Sequence, residues 1–102
     1  MERIDKLRAF LEANPEDSFL NHALALEYVK AGDTARARAV FESLLARDPG
    51  YVGSYYHLGR LLETTGFADQ AMECYRKGIE VAAAQGDHHA RGELQAALDD
   101  LE

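Results

Sequence analysis

Hydrophobic residues in this chain recur every three or four positions, the spacing typical of amphipathic α-helices. Residues 17–31 carry one such apolar set, made up of Leu20, Ala23, Leu24, Leu26 and Tyr28. Residues 34–47 carry a second set, made up of Ala37, Val40, Phe41, Leu44 and Leu45. We therefore predict two helices whose apolar faces cover each other. Between them, Gly32 suits a left-handed helix end, and Asp33 can accept from the first amides of the next helix.

Both ends of the chain predict a further helix. Residues 2–14 form a stripe that ends at Asn14-Pro15 and contains Ile4, Leu7, Phe10 and Leu11. Residues 88–101 follow the break at Gly86-Asp87 and place on one side Ala90, Leu94, Ala97, Leu98 and Leu101. The first segment is expected to be half of a helical pair, and the last to cover the end of the stack.

The chain repeats itself at an interval of 34 residues. That offset aligns Leu24 with Leu58, Gly32 with Gly66, Ala37 with Ala71, and Phe41 with Tyr75. A fixed period of this length indicates one supersecondary unit stacked on a copy of itself.

Residues 18–85 resemble two copies of the tetratricopeptide (TPR) repeat. The matching positions of the first copy are Asn21, Leu24, Ala25, Tyr28, Gly32, Asp33, Ala37, Phe41, Leu44 and Pro49. Those of the second are Tyr55, Leu58, Gly59, Leu62, Gly66, Ala71, Tyr75, Gly78 and Ala83. The departures from the family pattern are Asn21 for an aromatic residue, Leu62 for Tyr, the bulky Leu44, and Ala83 for Pro.

The resemblance implies an all-α fold, a right-handed α-solenoid of antiparallel helix pairs with about six helices. We expect a single domain over residues 1–102, divided into an N-terminal half-repeat helix (2–14), repeat 1 (18–51), repeat 2 (52–85) and a C-terminal covering helix (87–101). Small residues at Ala25, Ala37, Gly59 and Ala71 would let paired helices approach closely. Phe41 and Tyr75 are then predicted to pack in the core.

Composition favours a single folded domain, because 47% of the 102 residues are hydrophobic. The sequence shows no apolar run long enough for a membrane span and no secretory leader, so we expect a cytoplasmic protein without a membrane partner. The lone Cys74 fits a reducing compartment. A net charge of −7 without a run of basic residues argues against a nucleic-acid partner.

Acidic charge is concentrated in residues 86–102, which hold −4 of the total. Asp99, Asp100 and Glu102 lie at the end of the predicted last helix, where the helix dipole disfavours negative charge. This end therefore either frays or meets a basic partner.

No arrangement of residues in the sequence indicates catalysis, a cofactor or a metal. His88 and His89 are adjacent, so on a helix they point in different directions. His22 and His57 lie on successive first helices, with no acidic residue placed by a motif to orient either one. Cys74 has no nearby His at helical spacing. We therefore expect a protein that is not an enzyme.

In TPR proteins, the first helix of each repeat lines a concave groove. The positions that the resemblance assigns to the groove are Phe19, His22, Leu26, Val29 and Lys30 in repeat 1, and Gly53, Tyr56, Arg60, Glu63 and Thr64 in repeat 2. Apolar and aromatic side chains there would bury those of a peptide, while Lys30 and Arg60 would orient a carboxylate. Alternatively, Phe19 and Tyr56 merely pack against neighbouring helices.

TPR domains that clamp a chaperone's C-terminal carboxylate use Lys and Asn at positions that here hold His22, Leu26 and His57, with Asp87 and Arg91 near the remaining ones. A chaperone tail is therefore disfavoured. The sequence predicts a non-catalytic scaffold that binds a protein or peptide in its groove. The alternative is a structural module that self-associates into a homodimer.

Overall fold

The computed structural model describes residues 2–102, which contain six α-helices and no strand. The helices are α1 (Glu2–Ala13), α2 (Ser18–Lys30), α3 (Thr34–Arg47), α4 (Gly53–Thr64), α5 (Ala68–Gln85) and α6 (His88–Leu101). The predicted all-α class and six helices are confirmed. The chain divides into two compact units between Asp48 and Pro49. The assignment to a single domain stays a prediction.

The first unit contains α1, α2 and α3, and polar caps define its helix ends. The Asp17 carboxylate accepts from the amide of Leu20 at 2.9 Å and begins α2, and Asp33 accepts from the amide of Arg36 at 3.1 Å and begins α3. Gly32 has φ +78°, the left-handed conformation that a side chain disfavours. The predicted Gly32-Asp33 turn is confirmed.

Helices α2 and α3 bury small and large residues together in the core of the first unit. Ala25, Ala37 and Phe41 are completely buried, as predicted. The remaining buried apolar residues of this unit are Ile4, Leu7, Leu24, Tyr28 and Leu44. These contacts remove from water the apolar faces that the sequence pattern identifies.

Phe10 belongs to the predicted apolar stripe of α1, but it is not buried with the other residues of the stripe. Its side chain is 61% exposed, whereas Ile4 and Leu7 are buried against the rest of the unit. A helix turns about 100° per residue, so Phe10 lies about 60° beyond Leu7 and about 100° from Leu11 around the helix. It therefore sits at the edge of the stripe and faces outward.

The second unit contains α4, α5 and α6, and its core is centred on Tyr75. Gly59 lies against this ring, because a Cβ added at Gly59 would be 2.6 Å from Cδ1 of Tyr75. Gly78 is packed in the same way, because a Cβ added there would be 2.6 Å from Cβ of Tyr55 and 3.0 Å from Cδ1 of Leu94. The other buried apolar residues of this unit are Leu58, Leu61, Leu62, Ala71, Ala82, Ala97 and Leu98.

Asn21 replaces the aromatic residue of the repeat pattern without losing its contact. Nδ2 of Asn21 donates to the carbonyl of Pro15 at 3.1 Å and to that of Asp17 at 2.9 Å. One repeat later, the hydroxyl of Tyr55 donates to the carbonyl of Pro49 at 2.6 Å. The Asn21 amide and the Tyr55 phenol therefore donate to equivalent proline carbonyls, one before the first helix of each repeat.

Candidate functional site

The predicted site residues of the first unit lie along α2 and present an apolar surface. Phe19 is 69% exposed and Val29 is 39% exposed. Leu26 is partly buried. His22 is partly buried too, and its ring meets the edge of Phe41 at a centroid distance of 5.9 Å. The core of this unit therefore fixes His22, while Phe19 projects outward.

Lys30 does not stand as an isolated cation on this surface. Its Nζ lies 3.2 Å from Oε2 of Glu27, and Nε of Arg3 on α1 lies 3.4 Å from the same oxygen. A partner carboxylate would therefore have to compete with Glu27 for Lys30. The sequence-based prediction treated Lys30 as an open cation, and this pairing weakens that interpretation.

The predicted residues of the second unit open onto a cleft between α4 and α6, which we call the α4–α6 cleft. Its volume is about 210 Å³. The lining residues are Val52, Gly53, Tyr56, His57, Ala90, Glu93 and Leu94. Of these, Gly53 and Tyr56 belong to the groove positions predicted from the repeat. The cleft combines aliphatic and aromatic walls with one carboxylate.

Tyr56 and His57 form the aromatic wall of the α4–α6 cleft. Their ring centroids are 5.6 Å apart with the planes nearly perpendicular, at 89°. Tyr56 also lies 6.5 Å from the buried ring of Tyr75. Edge-to-face aromatic contacts of this kind stabilise a fixed arrangement of rings. The contact with the buried ring of Tyr75 therefore helps to fix the position of Tyr56 in the cleft wall.

Glu93 on α6 faces His57 across the cleft. Burial lowers the pKa of His57 below its ordinary value of 6.5, and the negative charge of Glu93 opposes that shift. Oε1 of Glu93 also lies 3.2 Å from Nε2 of His89, one turn earlier on α6. No sequence motif links an acidic residue to His57, but the folded chain brings Glu93 near it.

The other predicted residues of α4 lie outside the cleft lining. Arg60 is exposed, and its charge reaches the phenol of Tyr75, where it partly offsets the groups that raise the pKa of that phenol. Glu63 accepts a 2.9 Å hydrogen bond from the same hydroxyl. Thr64 donates to the carbonyl of Leu61 at 3.2 Å, a contact that serves the end of α4.

Sequence reasoning missed the contribution of α6. Ala90 and Leu94 were identified as apolar residues of a covering helix, but Glu93 was not linked to any site. The only sequence signal for Glu93 as a site residue is its position, because Glu93 lies beside Ala90, Leu94 and Ala97 at helical spacing. A charged residue at the edge of a buried stripe is a candidate for a cleft rim.

The structure also bears on Cys74, on metal-binding groups and on membrane-spanning helices. Sγ of Cys74 donates to the carbonyl of Tyr55 at 3.3 Å. Among residues 2–102, no group of three His, Cys, Asp or Glu side chains is arranged to hold a metal ion. Over the same residues, no helix combines the length and apolar character needed to cross a membrane.

The sequence pattern of the tetratricopeptide repeat matches residues 28–98 of this chain. The chain is also 27% identical over 99 residues to the TPR repeat-containing protein PA0015 of Pseudomonas aeruginosa. That alignment covers 97% of this chain and 94% of the Pseudomonas protein.

Solved structures of similar proteins share the arrangement of helices. The crystal structure of a tetratricopeptide repeat domain protein from Salinibacter ruber is 45% identical, has a TM-score of 0.80, and covers 83% of this chain and 94% of that one. The solution structure of protein BPP2914 from Bordetella parapertussis is 26% identical, has a TM-score of 0.83, and covers 96% of this chain and 85% of that one.

Proposed function

Because this chain belongs to the tetratricopeptide repeat family, whose fold is generally a protein–protein interaction module, we propose that it binds a segment of a partner protein. Members of the family are generally non-catalytic scaffolds, and we extend that property to this chain. The proposed partner is a peptide or an exposed protein segment, bound without a cofactor. The cytoplasm remains the predicted compartment.

Each unit offers a proposed contact surface on the first helix of its repeat. The residues are Phe19, His22, Leu26, Val29 and Lys30 on α2 of the first unit, and Tyr56, Arg60 and Glu63 on α4 of the second. Exposed Phe19 and Val29 supply apolar contact area, and Arg60 supplies a cation. Aromatic and Arg side chains are the residue types that most often dominate binding energy at protein interfaces.

The observation that carries the proposal is the α4–α6 cleft. Small-molecule and cofactor sites typically enclose about 300–1,000 Å³. A cleft of about 210 Å³ with one aromatic wall instead fits a single side chain of a peptide. Burying one anchor in such a cleft, with apolar contacts around it, is the usual way in which a short segment gains affinity.

Selection from a random-peptide display library tests the proposal directly. We expect the parent protein to enrich peptides whose synthetic versions bind in isothermal titration calorimetry. The triple variant F19A/Y56A/R60A should bind them at least about thirtyfold more weakly, because truncating a hot spot costs about 2 kcal/mol or more.

A control variant is R8A/F67A, which removes one exposed Phe side chain and one exposed Arg outside the proposed surfaces. It should bind like the parent, and thermal melts establish that both variants fold. Equal binding by F19A/Y56A/R60A and the parent would show that the surface is wrongly assigned. Failure to enrich any binding peptide would argue against peptide binding itself.

Self-association is a second candidate function, and the exposure of Phe10 favours it. A large apolar side chain that is 61% exposed on α1 is available for a contact with another copy. Light scattering on a sizing column, across a wide range of concentrations, tests this. A concentration-dependent dimer that F10E converts to a monomer would support self-association, whereas a monomer at all concentrations would reject it.

A further inference from the structure

The residues that line the α4–α6 cleft indicate the kind of side chain it can bind. Its walls combine the aliphatic side chains of Val52 and Leu94 with the rings of Tyr56 and His57. Among the seven lining residues, Glu93 supplies the formal negative charge, and its side chain is 53% exposed at the rim. Apolar walls below a solvent-accessible carboxylate match a side chain with an apolar stem and a cationic end.

The charge of the surrounding unit has the same sign as Glu93. Residues 49–102 hold nine carboxylate side chains and four basic ones, a net charge of −5. Arg91 lies on α6 but is exposed and does not line the cleft. Burial lowers the pKa of His57, so near neutral pH this imidazole is largely uncharged and does not cancel Glu93.

We infer that, within the proposed peptide-binding function on which this inference rests, the α4–α6 cleft takes an Arg or Lys side chain of the partner and pairs it with Glu93. The aliphatic stem packs on Val52 and Leu94 while the charged end stays near the rim, the arrangement that long basic side chains favour. The aromatic ring of Tyr56, which lines the cleft, adds attraction for the cation. Arg fits better than Lys, because its planar guanidinium both stacks and forms paired hydrogen bonds with a carboxylate.

A partner carboxylate is a poor occupant of this cleft. It would face Glu93 across an apolar cavity and enter a unit of charge −5, and like charges in such surroundings repel. The residues therefore point to a basic segment rather than an acidic tail as the partner.

The test uses NMR titration of the isotopically labelled full chain with short synthetic peptides. The first probe is acetyl-Ala-Leu-Arg-Leu-Ala-amide, and two matched probes replace Arg by citrulline, which is neutral and nearly the same shape, or by Glu. We expect the Arg peptide to shift the amide signals of Gly53, Ala90 and Glu93. Its binding should be about 1.5-fold to fivefold tighter than that of the citrulline peptide, the range typical of exposed charge pairs.

The matched variants are E93Q and E73Q. Both remove one negative charge from the second unit, but Glu73 is exposed on α5 and does not line the cleft. The preference for Arg over citrulline should vanish in E93Q and persist in E73Q. Added salt should weaken the Arg peptide more than the citrulline peptide.

Three results would overturn the inference. One is equal binding of the Arg and citrulline peptides at the cleft, which leaves the proposed peptide-binding function intact. Another is a preference for Arg that survives in E93Q. The third is that none of the three peptides shifts the signals of the cleft residues. The display selection then decides separately whether the chain binds peptides elsewhere.

Discussion

The buried phenol of Tyr75 donates a 2.9 Å hydrogen bond to Oε2 of Glu63, and so ties the core of the second unit to its proposed contact surface. One repeat earlier, the equivalent positions hold Phe41 and Val29. A hydroxyl and a carboxylate thus occur together in one repeat, and two apolar side chains occur together in the other. Burial of Tyr75 and its bond to Glu63 raise the pKa of this phenol well above its ordinary value.

Substitution Y75F should lower the free energy of unfolding by about 1 kcal/mol, because it removes one partly buried hydrogen bond. Urea denaturation measures this change. The converse substitution F41Y adds a hydroxyl at a completely buried position, where the residue equivalent to Glu63 is Val29, and should also destabilise the protein, by about 1–3 kcal/mol. A stable F41Y protein would contradict the claim that the two positions must match in polarity.

Local sequence signals predicted the turn between α2 and α3 well because that turn has a local chemical cause. Gly32 takes φ +78° and Asp33 caps the following helix, so both residues act within one turn of chain. The buried contacts of Phe41 and Tyr75 followed from small residues at fixed spacing. The exposure of Phe10 was not predicted because a position at the edge of an apolar stripe does not reveal whether the neighbouring helix reaches it.

The candidate site was less predictable because it depends on contacts between distant positions. The repeat identified Gly53 and Tyr56 on α4, since each repeat contributes the same positions. Glu93 lies on α6, which is outside the two repeats that the sequence pattern aligned. The ion pair between Lys30 and Glu27 could not be predicted either, because spacing alone does not show which of several nearby charged side chains form an ion pair.

Substitution G59A should destabilise the protein by about 1–3 kcal/mol. Its new methyl group would overlap the ring of Tyr75, a large side chain that is itself completely buried and has little room to move. Thermal or urea denaturation provides the measurement.

Gly92 supplies the matched control for this prediction. It is also a helical glycine, but an added Cβ would meet no atom within 4 Å. G92A should therefore stabilise the protein by about 0.5–1 kcal/mol, since Ala favours the helix over Gly. If both substitutions changed stability in the same direction, close packing at Gly59 would not be the reason for its glycine.

Substitution G32V should lower the free energy of unfolding by about 1 kcal/mol or more. The cause is backbone strain alone, because φ is +78° and no atom lies within 4 Å of an added Cβ. G32N is the informative comparison, since Asn tolerates this conformation better than a β-branched residue does. Equal melting temperatures for the parent and G32V would refute the assignment of this turn.

Substitution Y55F should cost about 1 kcal/mol, because it leaves the carbonyl of Pro49 without the phenol that donates to it at 2.6 Å. The equivalent substitution in the first unit is N21L, which removes the bonds to Pro15 and Asp17 and should cost at least as much. Urea denaturation compares the two. An unchanged midpoint for Y55F would mean that water replaces the phenol without loss.

His57 should make stability depend on pH. Its pKa is lowered in the folded protein, so between that value and 6.5 the unfolded chain binds more protons than the folded one. The neutral imidazole therefore contributes its full stabilisation above pH 6.5. This stabilisation is lost as the pH falls through the pKa of His57 in the folded protein. Denaturation of the parent and H57Q across this range isolates the effect, because the difference between them should shrink as pH falls.

Glu93 provides a second test of the same physical account. Its negative charge opposes the lowering of the His57 pKa, so E93Q should shift the imidazole titration to still lower pH. NMR titration of the His57 ring protons measures this directly, with E73Q as the charge-matched control. If the pKa of His57 rose in E93Q, or moved equally in E73Q, the carboxylate across the cleft would not be the group that acts on this histidine.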